Sequence, residues 1–218
     1  MPNSKENTTS SDEKVQKVDD IEYHYSSKWI NRLESLAHWK LYWFQQKLLE
    51  GLVKPGDKVL EIGPGTGFCT NYLRSKDVDV KTLDIDKAKK PDICCNIVEC
   101  DLSSDYDHIL AFEVFEHIPF DKFLDVLSRI KNHSPDIILS LPLYSKRVFE
   151  FDLFMPFLNN LHFCIRMPKK RLNQKHHFWE VGYKSFTEKY LQEQIKGLNL
   201  RIVRRETYLS KLFFILET

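Results

Sequence analysis

A glycine-rich segment at residues 58–68, KVLEIGPGTGF, is the part of the chain whose spacing most clearly indicates ligand chemistry. An apolar run carries one acidic residue, Glu61, and is followed by glycines at three alternate positions, Gly63, Gly65 and Gly67. Glycine tolerates positive φ angles and lets another group approach the backbone closely. The segment therefore predicts a loop that is shaped around a ligand and that joins a strand to a helix.

An acidic residue follows this loop at the distance expected of a ribose-binding carboxylate. Asp84 stands about 20 positions further on, at the end of the next apolar run. The dinucleotide fingerprint G-x-G-x-x-G does not fit, because Gly67 stands one place early and Phe68 fills the sixth position. A nucleotide-type ligand other than a dinucleotide is indicated, although a structural turn would also need glycines.

The sequence around these residues alternates between strand and helix patterns. Five short apolar runs predict strands, at residues 58–62, 80–85, 93–97, 108–112 and 136–141. Helical spacing follows the glycine loop and recurs after Pro119, and a capping box from Ser185 to Glu188 opens a last helix. Two further runs, at residues 200–208 and 211–217, predict an antiparallel hairpin. This alternation predicts an α/β fold with a parallel sheet between helices.

The 218 residues suffice for one such domain with additional segments. Residues 1–22 are polar, so we predict a disordered tail, with the domain over residues 23–218. Helical spacing predicts an N-terminal helical cap over residues 23–53. Residues 143–183 form a long connection, apolar first and basic later, which predicts a lid or acceptor-site insertion.

Charge and cysteine content narrow the class of protein. The net charge of +1 gives no global field that would favour nucleic acid or a membrane, and we predict no transmembrane segment or secretory signal. No cysteine pair has C-x-x-C spacing, and adjacent cysteines are poor ligands for tetrahedral zinc, so we predict no metal site. We expect reduced thiols and a cytoplasmic protein. The cysteines are Cys69, Cys94, Cys95, Cys100 and Cys164.

Four segments in order resemble the motifs of the class I S-adenosylmethionine-dependent methyltransferases, in particular the small single-domain enzymes of types 11 and 12. They are EIGPGTG at residues 61–67, LDID at 83–86, AFEVFEHIP at 111–119 and LSLP at 139–142. The resemblance covers roughly residues 58–218. It implies S-adenosyl-L-methionine as co-substrate and a Rossmann-like, doubly wound, seven-stranded, mostly parallel sheet in a three-layer α/β/α arrangement, with a C-terminal antiparallel hairpin.

The resemblance also implies which residues bind the co-substrate. Asp84 would accept both ribose hydroxyls, and Asn96 would meet the adenine amino group, with Asp101 as a competing candidate. Glu61 would orient the glycine loop or reach the ammonium group through water; a purely structural carboxylate is the alternative. The implied set is Glu61, Gly63, Pro64, Gly65, Gly67, Asp84, Ile85, Asn96, Ile97, Phe112 and Glu113.

Three residues are candidates for catalysis on the acceptor side, namely His117, His177 and Glu180. A histidine can titrate near neutral pH, and His177 or Glu180 could act as a base. The alternatives are a helix-start histidine that is hydrogen-bonded locally and a loop that packs on its own aromatic residues. Methyl transfer also often needs only alignment of the reacting atoms, so that no base is required.

The sequence favours methyl transfer to a small acceptor that is partly hydrophobic or anionic, because residues 143–183 have an apolar half and a basic half. RNA or protein methylation is an alternative in which the basic residues 169–171 track phosphates or acidic side chains. A catalytically silent module that keeps the co-substrate pocket is the other. Nucleic acid is the less favoured partner, because a solvated charged loop explains the basic run as well.

Overall fold

The computed structural model describes residues 14–18, 20–25, 35–155, 158–168, 172 and 176–218. Its helices are α1 (Leu36–Leu49), α2 (Phe68–Arg74), α3 (Phe120–Ile130) and α4 (Glu188–Gly197). Single 3₁₀ turns lie at Lys87–Lys89 and Phe115–His117. The strands are β1 (Lys14–Val18), β2 (Ile21–Tyr25), β3 (Lys58–Ile62), β4 (Asp79–Asp84), β5 (Ile93–Cys94), β6 (His108–Phe112), β7 (Asp136–Pro142), β8 (Ser145–Met155), β9 (Leu158–Pro168), β10 (Arg201–Tyr208) and β11 (Lys211–Glu217).

Seven of the strands form one sheet in the order β10-β11-β7-β6-β3-β4-β5. β3 pairs in parallel with β4 and β6, and the parallel pairing continues from β4 to β5 and from β6 to β7. β11 runs antiparallel between β7 and β10. The predicted seven-stranded, mostly parallel sheet with a C-terminal antiparallel hairpin is therefore confirmed.

The central strands are apolar throughout because both of their faces are covered. Successive side chains of a strand point to opposite faces. In β3, Leu60 and Ile62 accordingly join a core with α3 and α4, whereas Val59 joins a second core with α1 and α2. All three side chains are at most 1% exposed. These two cores make the sheet the middle of three layers.

The N-terminal segment differs from the prediction. Residues 14–18 and 20–25 form an antiparallel hairpin, so the predicted disorder up to residue 22 is wrong for this part, and residues 1–13 lie outside the described residues. Val18 and Tyr23 are buried in the core that contains Leu60. Asp20 adopts a φ of 61°, which aspartate tolerates at a tight turn. The Val18 and Tyr23 side chains, with the partly buried Ile21, dock the hairpin on the core.

The long connection after β7 contains a β-hairpin of two 11-residue strands, β8 and β9. The register places Phe149 opposite Ile165 and Phe151 opposite Phe163. These four side chains are exposed, as is that of Met167. The predicted insertion thus carries an apolar surface, while the basic residues 169–171 lie outside the described part of the chain.

The prediction of reduced thiols is wrong at one pair, because Cys95 and Cys100 form a disulfide. The amide groups of Glu99 and Cys100 both donate to the carbonyl oxygen of Asn96, which folds the chain into a turn that brings the two cysteines together. Cys69 and Cys94 are free thiols. Among the residues that the structure describes, none of the helices combines the length and the apolarity needed to cross a bilayer.

We predict that Tyr23→Ala lowers the free energy of unfolding by about 3 kcal/mol, because it removes a buried ring that lies 6.5 Å from that of Phe178. Glu22→Ala, at an exposed neighbouring position of the same strand, is the matched control and changes it by less than about 0.5 kcal/mol. Chemical denaturation measures both. Equal stability of the two variants would mean that the hairpin does not dock on the core.

Candidate active site

The parallel strands bring most of the predicted site residues to one edge of the sheet. The glycine loop follows β3, Asp84 ends β4, Asn96 follows β5 and Glu113 follows β6. Carboxyl ends of parallel strands lie side by side, and the crevice outside them is where open α/β sheets bind ligands. The candidate site is therefore at this carboxyl edge.

The glycine loop has two different reasons for its glycines. A Cβ atom on Gly63 would lie 2.6 Å from the Cγ2 atom of Val114, so packing requires glycine there. Gly65 has a φ of 58°, but a Cβ atom on it would meet nothing within 4 Å. A 2.8 Å hydrogen bond from the Gly67 amide to the Pro64 carbonyl closes the loop. Open space therefore remains beside the Gly65 backbone.

Helix α1 packs against this loop. The Tyr42 hydroxyl lies 3.3 Å from the Thr66 Oγ1 atom, and the Tyr42 ring stacks on Phe68 with a centroid distance of 4.8 Å. Trp39 contacts the same ring edge-on. The prediction of a helical cap over residues 23–53 is wrong at residues 23–25, which belong to β2, and residues 26–34 lie outside the described residues. Helix α1 itself contributes a wall beside the loop.

Glu61 is buried behind the loop and accepts a hydrogen bond from the Thr70 hydroxyl in α2. Burial raises its pKa to about 7, although the hydrogen bonds from Thr70 and Cys69 oppose the rise. Glu61 therefore links the end of β3 to the helix that begins after the loop. This position agrees with the expected role in orienting the loop.

Asp84 is buried and already has two partners. Its Oδ1 atom accepts the Asp86 amide at 2.8 Å, and its Oδ2 atom pairs with the Lys89 ammonium group at 2.8 Å. Asp86 caps the following 3₁₀ turn by accepting the Ala88 amide, and it pairs with Lys14 of β1 at 2.7 Å. The N-terminal hairpin is thereby joined to the edge of the site.

Asn96 and its competitor Asp101 differ in burial. Asn96 is 4% exposed and its Oδ1 atom accepts the Val98 amide, which leaves its buried Nδ2 atom without a hydrogen-bond partner among the described residues. The Asp101 side chain is 99% exposed and faces Arg129. Burial favours Asn96 over Asp101 as the adenine-binding residue. The atom that is open to a ligand is the donor Nδ2, whereas we expected the side-chain oxygen to accept a hydrogen bond from the adenine amino group. Ile97 is buried in the core.

At the end of β6, Glu113 has a φ of 57° and two side-chain partners. Its Oε1 atom accepts the Ser140 hydroxyl at 2.9 Å, and its Oε2 atom pairs with the Lys211 ammonium group. Burial lowers the pKa of Lys211, but the charges of Glu113 and Glu116 outweigh it, so the pKa is raised. The Phe112 ring lies beside that of Phe213, with a centroid distance of 6.4 Å.

The segment at residues 176–180 is attached to the 3₁₀ turn that follows β6. The Phe178 amide donates to the Glu116 carbonyl at 2.9 Å, and the Trp179 indole donates to the Ile118 carbonyl at 3.1 Å. Trp179 is 1% exposed, so its side chain packs in the core and is not available to contact an acceptor. The attachment brings together His117, His177 and Glu180, the three candidates for catalysis.

These three residues form a cluster with Glu116, which was not predicted as a site residue; His117 is half-buried and the other members are buried. The His177 Nδ1 atom lies 2.9 Å from Glu180 Oε1, and its Nε2 atom lies 4.0 Å from Glu116 Oε1. The His117 and His177 rings meet edge-on with a centroid distance of 4.8 Å. The signal for Glu116 was present in the segment EVFEH, where it directly precedes His117.

Burial shifts both titrations at the 3₁₀ turn. It raises the pKa of Glu116 well above its usual range, and the Glu113 charge adds to the rise. It lowers the pKa of His117 to about 3, with a further contribution from His177. His117 is therefore neutral at pH 7 and a weak base, contrary to the expectation that it titrates near neutrality.

A cavity of about 260 Å³ opens beside this cluster. Its lining combines strand β2 of the N-terminal hairpin with the histidine cluster, namely Glu22, His24, His117, His176, His177 and Phe178. The His24 and His176 rings stack at 5.4 Å. A small molecule that enters this cavity would contact imidazole rings and one carboxylate.

Comparisons with known proteins agree with this geometry. A family model described as "Methyltransferase domain" matches residues 30–204. Among solved structures, an S-adenosylmethionine-dependent methyltransferase from Aquifex aeolicus has a TM-score of 0.57 and 14% identity, covering 88% of this chain and 98% of its own. One from Clostridium acetobutylicum ATCC 824 has a TM-score of 0.53 and 14% identity, covering 87% and 94%.

A third solved structure is the magnesium protoporphyrin IX methyltransferase of Synechocystis PCC 6803 with bound S-adenosylmethionine. It has a TM-score of 0.56 and 13% identity, covering 87% of this chain and 84% of its own. Compared by sequence with curated proteins, the chain matches none. At identities this low, the structural similarity shows a shared fold and nothing further.

We predict that Glu61→Gln flattens the dependence of stability on pH. Because the pKa rises from 4.5 to about 7, the folded state holds the proton more tightly than the unfolded state. The stabilisation is thus full below pH 4.5 and is lost as the pH rises through about 7, a decline of about 3 kcal/mol in the wild type. Denaturation between pH 5 and pH 8 measures it, with the exposed Glu99→Gln as control. Parallel curves for wild type and Glu61→Gln would contradict the prediction.

Proposed function

Because this chain belongs to the methyltransferase domain family, we propose that it transfers a methyl group from S-adenosylmethionine to a small acceptor that is partly hydrophobic or anionic. The observation that carries the proposal is the arrangement at the carboxyl edge. There an open glycine loop, a buried strand-end carboxylate and a buried amide stand at the ends of neighbouring parallel strands.

The residues at this edge fit the co-substrate. A carboxylate has about four acceptor positions, and the Asp84 carboxylate uses two of them on Asp86 and Lys89. Two positions remain for the two ribose hydroxyls. The Asn96 Nδ2 atom is a buried donor that a ring nitrogen of adenine would satisfy, and the open side of Gly65 leaves room for the amino-acid part.

The proposed roles of the other site residues follow from their places. Glu61 holds the loop against α2 through Thr70, and Glu113 borders the transferred methyl group. Pro64 and Gly67 close the loop, Gly63 fits it beneath Val114, and Ile85 is half-buried beside Asp84.

The bound co-substrate supplies an electrophilic methyl group on a sulfonium. The chain contributes position and dryness. Helix α1, the N-terminal hairpin and residues 176–180 exclude water from the edge, so that an acceptor held in line with the methyl group needs little further activation. A base is not required by this arrangement; His177, held by Glu180, orients the acceptor, and His117 stays neutral.

Two features support an acceptor of this kind. The cavity beside the histidine cluster accommodates a small polar group. The exposed side chains of Phe149, Phe151, Phe163 and Ile165 offer an apolar surface on the insertion. Incubation with labelled S-adenosylmethionine and pools of metabolites, lipids and RNA tests the proposal. Label in a metabolite or lipid supports it, whereas label in RNA with strongly salt-dependent binding supports an RNA methyltransferase.

We predict that Asp84→Asn weakens the binding of S-adenosylmethionine on the order of tenfold to a hundredfold, because it removes a charged hydrogen-bond acceptor for the ribose hydroxyls. Asp101→Asn is the matched control, and its affinity stays unchanged because that side chain is 99% exposed. Calorimetry with S-adenosylmethionine and S-adenosylhomocysteine measures both variants. Unchanged affinity of Asp84→Asn would refute the ribose role, and wild-type protein that binds neither compound would refute the proposed function.

A further inference from the structure

We propose that Glu116, His117 and His177 bind a divalent transition-metal ion at the wall of the cavity. Each offers one ligand atom, and the three atoms lie within 4.8 Å of one another. Two imidazoles with one carboxylate form a donor set that suits zinc and neighbouring first-row ions, whereas magnesium and calcium prefer oxygen ligands. We predicted no metal site from the sequence because only the cysteines were weighed as ligands.

The Glu116 carboxylate provides an independent observation. Its residue is 1% exposed, and its Oε2 atom has no hydrogen-bond partner among the described residues. A buried carboxylate oxygen without a partner is costly, and native structures nearly always satisfy such atoms. A bound cation satisfies this one.

His177 is oriented as metal ligands usually are. Glu180 is fully buried and lies 2.9 Å from His177 Nδ1, so a neutral His177 donates its Nδ1 proton and directs its Nε2 lone pair to the side of Glu116. Outer partners of this kind fix the tautomer and the ring orientation of ligating histidines. Glu180 is thus a positioning residue for the ion.

The distances fit a divalent ion. The gap of 4.0 Å between His177 Nε2 and Glu116 Oε1 is wider than the roughly 3.4 Å of a tetrahedral site with bonds of about 2.0–2.2 Å, so a small inward rotation closes it.

Three protein ligands leave at least one coordination position, as catalytic metal sites do. His117 and His177 line the cavity, so this position is on the side where an acceptor would enter. If the proposed function holds, on which this step rests, the ion binds an oxygen atom of the acceptor, such as a hydroxyl or a carboxylate. The ion therefore both selects the acceptor and orients it.

The test uses the purified full chain after treatment with a chelator. Zinc is titrated by calorimetry, and cobalt(II) by its visible absorption. We expect one ion per chain, at least about tenfold weaker binding in Glu116→Gln and His177→Ala, and about 10- to 100-fold weaker binding in Glu180→Gln. The control His133→Ala removes a histidine that pairs with Asp105 at the opposite edge, and it binds like the wild type.

Folded wild-type protein that binds no zinc or cobalt would overturn the inference, as would equal binding by His133→Ala and His177→Ala. Circular dichroism verifies folding; should Glu116→Gln not fold, His177→Gln serves in its place. Calorimetry with S-adenosylmethionine on the same preparation separates the two proposals. A protein that binds the co-substrate but not the metal contradicts this inference alone. A protein that binds the metal but not the co-substrate contradicts the proposed function alone.

Discussion

The parallel pairing of β3 with β4 and β6 is the constraint on which the rest of the molecule depends. It sets Ile62 beside Leu83 on one side and beside Ala111 on the other, so the three strands end at one level. Every polar group that follows them is therefore delivered to the same edge, however far apart the groups lie in the chain. The site is a consequence of this register.

The covering of that edge determines its chemistry. Glu61, Asp84, Glu116 and His177 are buried there, so these carboxylates and this imidazole have little contact with water. Burial then shifts the pKa of Glu61 and Glu116 upward and that of His117 downward. Each of these groups needs a protein partner or a ligand, because an unpaired buried polar group is costly. A dry edge with unfilled donors and acceptors is suited to binding a polar small molecule.

Local sequence patterns predicted the strands of the main sheet but not the two additional hairpins or the disulfide. Continuous apolar runs identify buried strands, and the glycine loop reflects backbone angles that neighbouring residues impose. The hairpins at β1–β2 and β8–β9 were not predicted, although residues 21–25 (IEYHY) and 149–153 (FEFDL) alternate between apolar and polar side chains as strands do. The pairing of Cys95 with Cys100 depends on a turn at Asn96 that their spacing alone does not indicate.

The sequence by itself determined the seven strands of the main sheet, the helices between them and the strand-end position of Asp84, because each depends on residues close along the chain. The meeting of Glu116 and His117 with His177 was decided by tertiary structure alone. It rests on the bond from the Phe178 amide to the Glu116 carbonyl and on the docking of Trp179, which join segments some 60 residues apart. Burial at that junction, which no local pattern encodes, then fixes the charge of the imidazole.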